Sequence, residues 1–425
     1  MTEELLHHIW KFRLFDTQNL VLESGEKLEI LNVGSHNTDA GPDFFNARIK
    51  IGNTLWAGNV ELHINASDWY KHGHQQNKAY DNIVLHVVFD ADVIVNRNSG
   101  EAFPTLVLKN KINPRYLSNY DYLKSAKVEI SCEKIFFETD IFVLNNWLDR
   151  LMIERLEQKS EMITRYLKLN HNDWEETFYQ FLARNFGFKI NADAFELLAK
   201  SLPNAYLAKH KNNLFQIEAL LFGQAGFLEK KFSDDYPQQL QKEYFFLKKK
   251  FRLQNLEPHL WKMLRLRPVN FPTVRLAQFA KLISISSHLF SKIMETETLE
   301  EIEKLLTVET SDYWKTHFHF EKKSRKQTKK LGKMAIENIV INTLVPFLFV
   351  YGKHKSEEEF VERALTFLQK TNPEKNHITE TWKKLGMKME NAFVSQASIQ
   401  LKNDYCSQKK CLQCAVGNYL LKKDS

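Results

Sequence analysis

The sequence predicts an α+β protein: a small N-terminal α/β domain built on a mixed sheet, followed by a large all-α domain. Three observations carry this. Short period-two runs bounded by Gly, Asn and Pro fill the first 110 residues, and long 3.6-period segments fill the rest. Gly (14) and Pro (10) are sparse in 425 residues, while 43% of residues are hydrophobic and 26% charged, a globular balance with room for two or three domains.

The elements follow in order. Leu5, Leu6, Ile9, Trp10, Phe12 and Leu14 mark a first amphipathic helix, with Thr2 and Glu4 near its start. Strands are expected at Lys27–Val33, Phe44–Ile51, Leu55–Ile64, Ile83–Phe89 and Phe103–Leu108. A polar, helical stretch from Asp68 to Asp81 is expected between the third and fourth. The alternation Val60-Glu61-Leu62-His63-Ile64 places Glu61 and His63 on one face of their strand. The domains divide at about residue 130, as 1–130 and 131–425. Past that point helical periodicity runs from Phe142–Lys168 to Ile378–Met389, with Pro at 203, 237, 268, 272 and 373 punctuating short connections.

Composition narrows the function classes. The net charge of +7 permits a polyanionic partner without demanding one. No signal-peptide layout opens the chain, and the most apolar stretch, Ile339 to Tyr351, is interrupted by Asn342 and Pro346 and falls short of a bilayer span. Four cysteines do not make a disulfide scaffold. The expectation is a cytoplasmic protein with no membrane partner.

The segment from Gly41 to His63 carries the chemistry. Asp43 opens one apolar run and Glu61 lies within the next. Carboxylates on adjacent strands suit a hard divalent cation, Mg or Mn, which activates water and stabilises a phosphodiester transition state. His72 and His74, two apart in Trp69-Tyr70-Lys71-His72-Gly73-His74, with His86 on the next strand, add imidazoles suited to Zn, Mn or Fe. Beside the nuclease reading this keeps open a histidine-rich mononuclear metal hydrolase.

The order helix, Asp, Glu-x-His, helix and strand resembles the core of the PD-(D/E)XK nuclease superfamily. His63 stands where that family usually carries Lys. Gln76-Asn77-Lys78-Ala79-Tyr80 resembles the Gln-x-x-x-Tyr motif of its RecB-like members, and Glu4 matches an auxiliary acidic position on the first helix. The resemblance implies Asp43 and Glu61 as metal ligands, His63 in place of the catalytic Lys, and Gln76 and Tyr80 orienting the site of a nuclease acting on DNA or RNA. The missing Lys equally suits a degenerate, non-catalytic nucleic-acid- or protein-binding module. The whole chain also resembles an uncharacterised bacterial family, through Ile9-Trp10-Lys11-Phe12, the 41–63 block, Leu85-His86-Val87-Val88, Arg267–Pro272 and the cysteine tail.

Cys406, Cys411 and Cys414 form a C-x4-C-x2-C cluster that Cys132 would complete, a ligand set for Zn or an iron–sulfur cluster. The densest positive run, with Lys322, Lys323, Arg325, Lys326, Lys329 and Lys330, is expected to meet phosphates together with Arg265, Arg267 and Arg275. Trp314, Phe318 and Phe320 beside it are either base-stacking groups or core.

Overall fold

A computed structural model describes residues 1–423 apart from Ser287. The chain forms two compact units, Met1–Trp147 with Lys402–Ser425, and Leu148–Leu401. The architecture is α+β, with a mixed sheet in the first unit and a mostly helical second one.

In the first unit α1 (Glu3–Lys11) starts at Thr2, whose hydroxyl accepts the Leu5 N–H at 3.3 Å. Six strands follow: β1 (Leu28–Asn32), β2 (Ser35–His36), β3 (Phe44–Ile51), β4 (Thr54–Asn65), β5 (Ile83–Asp90) and β6 (Thr105–Val107). They form one sheet in the order β1-β3-β4-β5-β6, with β2 paired to the start of β3. The β1–β3 and β3–β4 pairs are antiparallel, whereas β4–β5 and β5–β6 are parallel.

Alternation gives β4 two unlike faces. Val60 and Leu62 join Leu85 and Val87 in an apolar core with Leu5, Leu6, Ile9 and Trp10 of α1. On the opposite face, Glu61 pairs in register with His86 and His63 with Val88. That face is closed by a smaller apolar cluster around Trp69, Tyr80, Val88 and Phe103. Leu412 and Leu421, from the C-terminal segment, belong to the larger core.

The expected helix from Asp68 to Asp81 is one turn, α2 (Asp68–Lys71), and two 3-10 turns, His74–Gln76 and Lys78–Tyr80. Gly73 breaks it: its φ of +73° is left-handed, which ends a right-handed helix. A twelve-residue helix, α3 (Pro114–Ser125), follows β6.

The second unit is helical from Trp174–Phe186 to Ala392–Gln400, but the all-α expectation misses a two-stranded hairpin, His317–His319 with Lys322–Lys323. The apolar stretch at 339–351 also proves longer. Helix continues from Lys333 to Lys355 through a π-helical turn, Val340–Leu344, and is long and apolar enough to cross a membrane. Most of it, 72% of its apolar window, is buried within the protein. Asn342 is tolerated there because its amide oxygen accepts a 3.0 Å hydrogen bond from the half-buried Lys159 side chain.

Two predictions follow from this packing. At Gly58 on β4 a Cβ would lie 2.4 Å from Val84 Cγ1 and 2.7 Å from the Asn82 carbonyl oxygen. Gly58→Ala must push β4 and β5 apart, and a denaturation series should record a loss of about 1–3 kcal/mol. An unchanged midpoint would mean the strand contact is slack.

In the second unit the buried Glu218 carboxyl accepts hydrogen bonds from Tyr236 and Ser311, and burial pushes its pKa up to about 7. A folded-state pKa above the unfolded value means the native state binds the extra proton. Stability is therefore greatest below about pH 4.5 and falls as pH rises through 7, by about 3 kcal/mol for this shift. Glu218→Gln should remove that slope, gaining on the wild type between pH 5 and pH 8 in unfolding midpoint.

Candidate metal centre

The site is assembled where β3 begins against the middle of β4. Asp43 is the residue before β3, and the pairing Phe44↔Val60 brings it opposite Glu61. There the two side chains replace ladder bonds. The Asp43 N–H donates to Glu61 Oε2 at 3.1 Å, and the Leu62 N–H donates to Asp43 Oδ2 at 2.9 Å. A carboxylate that accepts backbone N–H groups is held in one orientation.

Four imidazoles surround the Glu61 side of this clasp. His63 Nδ1 lies 2.8 Å from His86 Nε2, and His63 Nε2 lies 3.2 Å from His72 Nδ1. Glu61 Oε1 is 3.1 Å from His74 Nε2 and 3.8 Å from His63 Nε2. One nitrogen each of His63, His72 and His74 lie within 4.8 Å of one another. Trp69 forms a wall, with ring centroids 5.3 Å from His74 and 5.4 Å from His86, and Tyr80 stacks on His74 at 3.9 Å.

The electrostatics keep His63 and His86 neutral. Burial, reinforced by His86, His74 and His72, lowers the pKa of His63 to about 2; burial and His74 lower that of His86 to about 4. The 3.8 Å approach of His63 to Glu61 is therefore not an ion pair. Burial likewise raises the pKa of Glu61, with His74 opposing and Asp43 assisting. Burial pushes the Tyr80 hydroxyl up to about 12, so it stays protonated.

Distances decide what the set can hold. Two ligand atoms bonded to one ion at about 2.0–2.1 Å sit about 3.3 Å apart in a tetrahedron. The 3.2 and 3.1 Å separations match that value. His74 Nε2, shielded from solvent, lies 3.1 Å from Glu61 Oε1. Such a nitrogen is costly unless something else takes its lone pair. His63 Nε2, His72 Nδ1, His74 Nε2 and Glu61 Oε1 fit a borderline transition ion. The His63–His86 contact supplies the outer partner that fixes a ligand's tautomer. His72 is exposed and gives the centre its opening to solvent.

A second pair flanks the centre. His7 of α1 places Nε2 3.2 Å from Asp43 Oδ2, and the exposed His36 packs edge-on to His7 with centroids 5.6 Å apart. Burial would lower the pKa of His7, but the Asp43 carboxylate outweighs it and raises it.

The sequence motifs meet this geometry unevenly. Asp43, Glu61, His63, His72, His74 and Tyr80 come together, with Tyr80 supporting His74 rather than facing the carboxylates. Gln76 is exposed at the end of its turn and is not among the groups that meet at Glu61. Glu4 is exposed and pairs at 3.7 Å with Lys124. His7 and His36 escape a motif reading because only the packing of α1 and β2 onto β3 brings them in.

Of the basic residues in the second unit, Arg265, Arg267, Lys322, Lys323, Arg325, Lys326 and Lys330 are exposed. Arg275 and Lys329 are not available to phosphate. The buried Arg275 guanidinium bonds Gln278 and Asn270 and stacks on Phe188. Burial lowers its pKa to about 10. Lys329 donates to the Trp314 carbonyl from the interior. Trp314 and Phe320 are core. The four cysteines belong to the first unit and are not part of the histidine cluster.

Changing the clasp has a measurable signature. In Asp43→Asn the amide oxygen still accepts the Leu62 N–H, but the charge that raises the His7 pKa is gone. NMR titration of the histidine Cε1–H resonances should show the His7 midpoint fall; a midpoint that does not move would remove Asp43 as its partner.

A family model described as a protein of unknown function (DUF2851) matches residues 3–377. The matched stretch contains every residue of the histidine centre and Cys132, and the cysteine tail lies beyond it. No curated protein and no solved structure matches the chain.

Proposed function

The chain belongs to the DUF2851 family; from the geometry of its histidine cluster we propose that it is a metal-dependent hydrolase of phosphodiesters, with nucleic acid the first candidate substrate. The single observation behind this is the convergence of one ring nitrogen each of His63, His72 and His74 beside the Glu61 carboxylate. Nitrogen-rich sets favour Zn, Mn or Fe over Mg. The two-carboxylate Mg reading is weaker, because Asp43 Oδ2 and Glu61 Oε2 are already engaged by backbone N–H groups.

In this reading His63, His72, His74 and Glu61 hold the ion, which would supply an acidified water and polarise the scissile group. His86 orients His63. Asp43 keeps His7 ready to carry a proton at the rim, where a cationic imidazole suits an anionic substrate. The exposed cations of the second unit are consistent with a polyanion.

The test is metal analysis joined to turnover. Full-length protein supplied with Zn²⁺, Mn²⁺ or Fe²⁺ should retain about one ion per chain at this centre and hydrolyse bis(p-nitrophenyl) phosphate or an oligonucleotide. His74→Ala should lose both. His86→Ala, which removes only the outer partner, should weaken metal affinity by about 10–100-fold. Hydrolysis that survives both His63→Ala and His74→Ala would refute the assignment. A bound ion without hydrolysis of any DNA, RNA or model diester would favour a binding module.

A further inference from the structure

The sheet face that carries the histidine centre continues beyond it into the open. Alternation puts Leu55, Ala57 and Asn59 of β4 on the same side as Glu61 and His63. Along that line Leu55 and Ala57 are exposed, Asn59 is half-buried, and Glu61 and His63 are buried. The face descends as a ramp from solvent to the candidate metal centre.

Strand β3 supplies the other half of the ramp. Past a bulge between Phe44 and Ala47, its pairing sets Arg48 opposite Ala57 and Lys50 opposite Leu55. Ala47, Ile49 and Ile51 alternate with them and belong to the apolar core, so the two cations lie on the outer side. The bulge is held by Asn46, at a left-handed φ of +59°, whose N–H donates to Asn59 Oδ1 at 3.3 Å. That bond uses the oxygen of Asn59 and leaves its NH2 group for a ligand. On the far edge β1 places Asn32 opposite Arg48 and the exposed Glu29 opposite Lys50. Among the described residues the side chains of Arg48 and Lys50 make no ion pair or hydrogen bond, with Glu29 or any other group. An exposed guanidinium without a carboxylate partner keeps its whole donor fork for an incoming anion.

We infer that the outer face of the β3–β4 hairpin is the docking track for a single strand of nucleic acid, with Arg48 and Lys50 holding phosphates that flank the bond presented to the histidines. This rests on the phosphodiester reading of the centre and adds the polymer and its path. Ala57 is four residues from Glu61, about 13 Å along the strand, which sets Arg48 beside the centre and not at it. Arg48 and Lys50 are two residues apart, about 7 Å, so one extended chain can meet both. Leu55 and Ala57 offer apolar surface to sugars and unpaired bases between these contacts. The track takes one strand because it ends in a recess: Glu61 and His63 are buried, with Trp69 as a wall.

The experiment is fluorescence anisotropy of short labelled DNA and RNA single strands, phosphorothioate-linked so that cleavage does not intervene, on full-length protein over a series of salt concentrations. Wild-type protein should bind with an affinity that falls with salt. Arg48→Ala should weaken binding about 10-fold and lower the salt slope by about one, and Arg48→Lys should keep the slope. Arg48 is exposed, so the variants should melt with the wild type. Binding of either sugar supports the inference, and a preference names the substrate. A duplex that binds more tightly than its separate strands overturns it. So does binding that Arg48→Glu with Lys50→Glu leaves unchanged while Lys322→Glu with Lys323→Glu, in the second unit, abolishes it. Protein that hydrolyses bis(p-nitrophenyl) phosphate yet binds no strand overturns the track and leaves the metal reading standing. Arg48-dependent binding without any hydrolysis does the reverse.

Discussion

Strand β4 is paired antiparallel to β3 on one edge and parallel to β5 on the other, and it is apolar on one face and ionisable on the other. Val60 and Leu62 commit the first face to hydrocarbon, so a one-residue slip would bury Glu61 and His63 against α1 instead. Several buried side chains at about 1.5–3 kcal/mol each therefore guard the register that the site needs. The reciprocal bonds of Asp43 and Glu61 act at the same point. They satisfy backbone groups where the β3–β4 ladder ends, so the carboxylates are oriented by the fold and not by a ligand.

Against that stands the cost of the second face. Glu61, His63 and His86 are among the most buried polar residues of the unit, and a buried ionisable group is expensive unless it is paired or discharged. Burial keeps His63 and His86 neutral, and the ring nitrogens meet in hydrogen bonds, His63 with His86 at 2.8 Å and His63 with His72 at 3.2 Å. Nitrogen lone pairs at 3.2 Å repel unless a proton or a cation lies between them.

Much of this was readable from residues. The strands at 28–32, 44–51 and 54–65 announce themselves by alternation, the one at 83–90 by a nearly continuous apolar run, and Glu61 with His63 falls on one face by the alternation rule. Other features depend on distant partners. His7 is an off-core residue of α1 until the helix packs across β3. Arg275 and Lys329 look like members of a basic surface, yet Asn270, Gln278 and the Trp314 carbonyl draw them inside. The helix Ala392–Gln400 is buried nearly all round, so it has no polar face to give it a period. The cysteine spacing was visible in the chain, whereas the approach of Gly417 to Cys411 was not, since a glycine there carries no pattern.

The N-terminal unit is discontinuous: the stretch Lys402–Ser425 clusters with Met1–Trp147, and Leu412 and Leu421 sit in the same core as α1. A chain made from its N-terminus cannot close that core while the intervening helical segment is being synthesised. Its open edge, near Leu123 and Tyr120, has to wait through the production of an entire second unit. During that interval the nascent sheet exposes apolar surface, which is the condition under which chaperones engage. Order of synthesis and order of completion are therefore opposite here: the part of the protein made first is the part finished last.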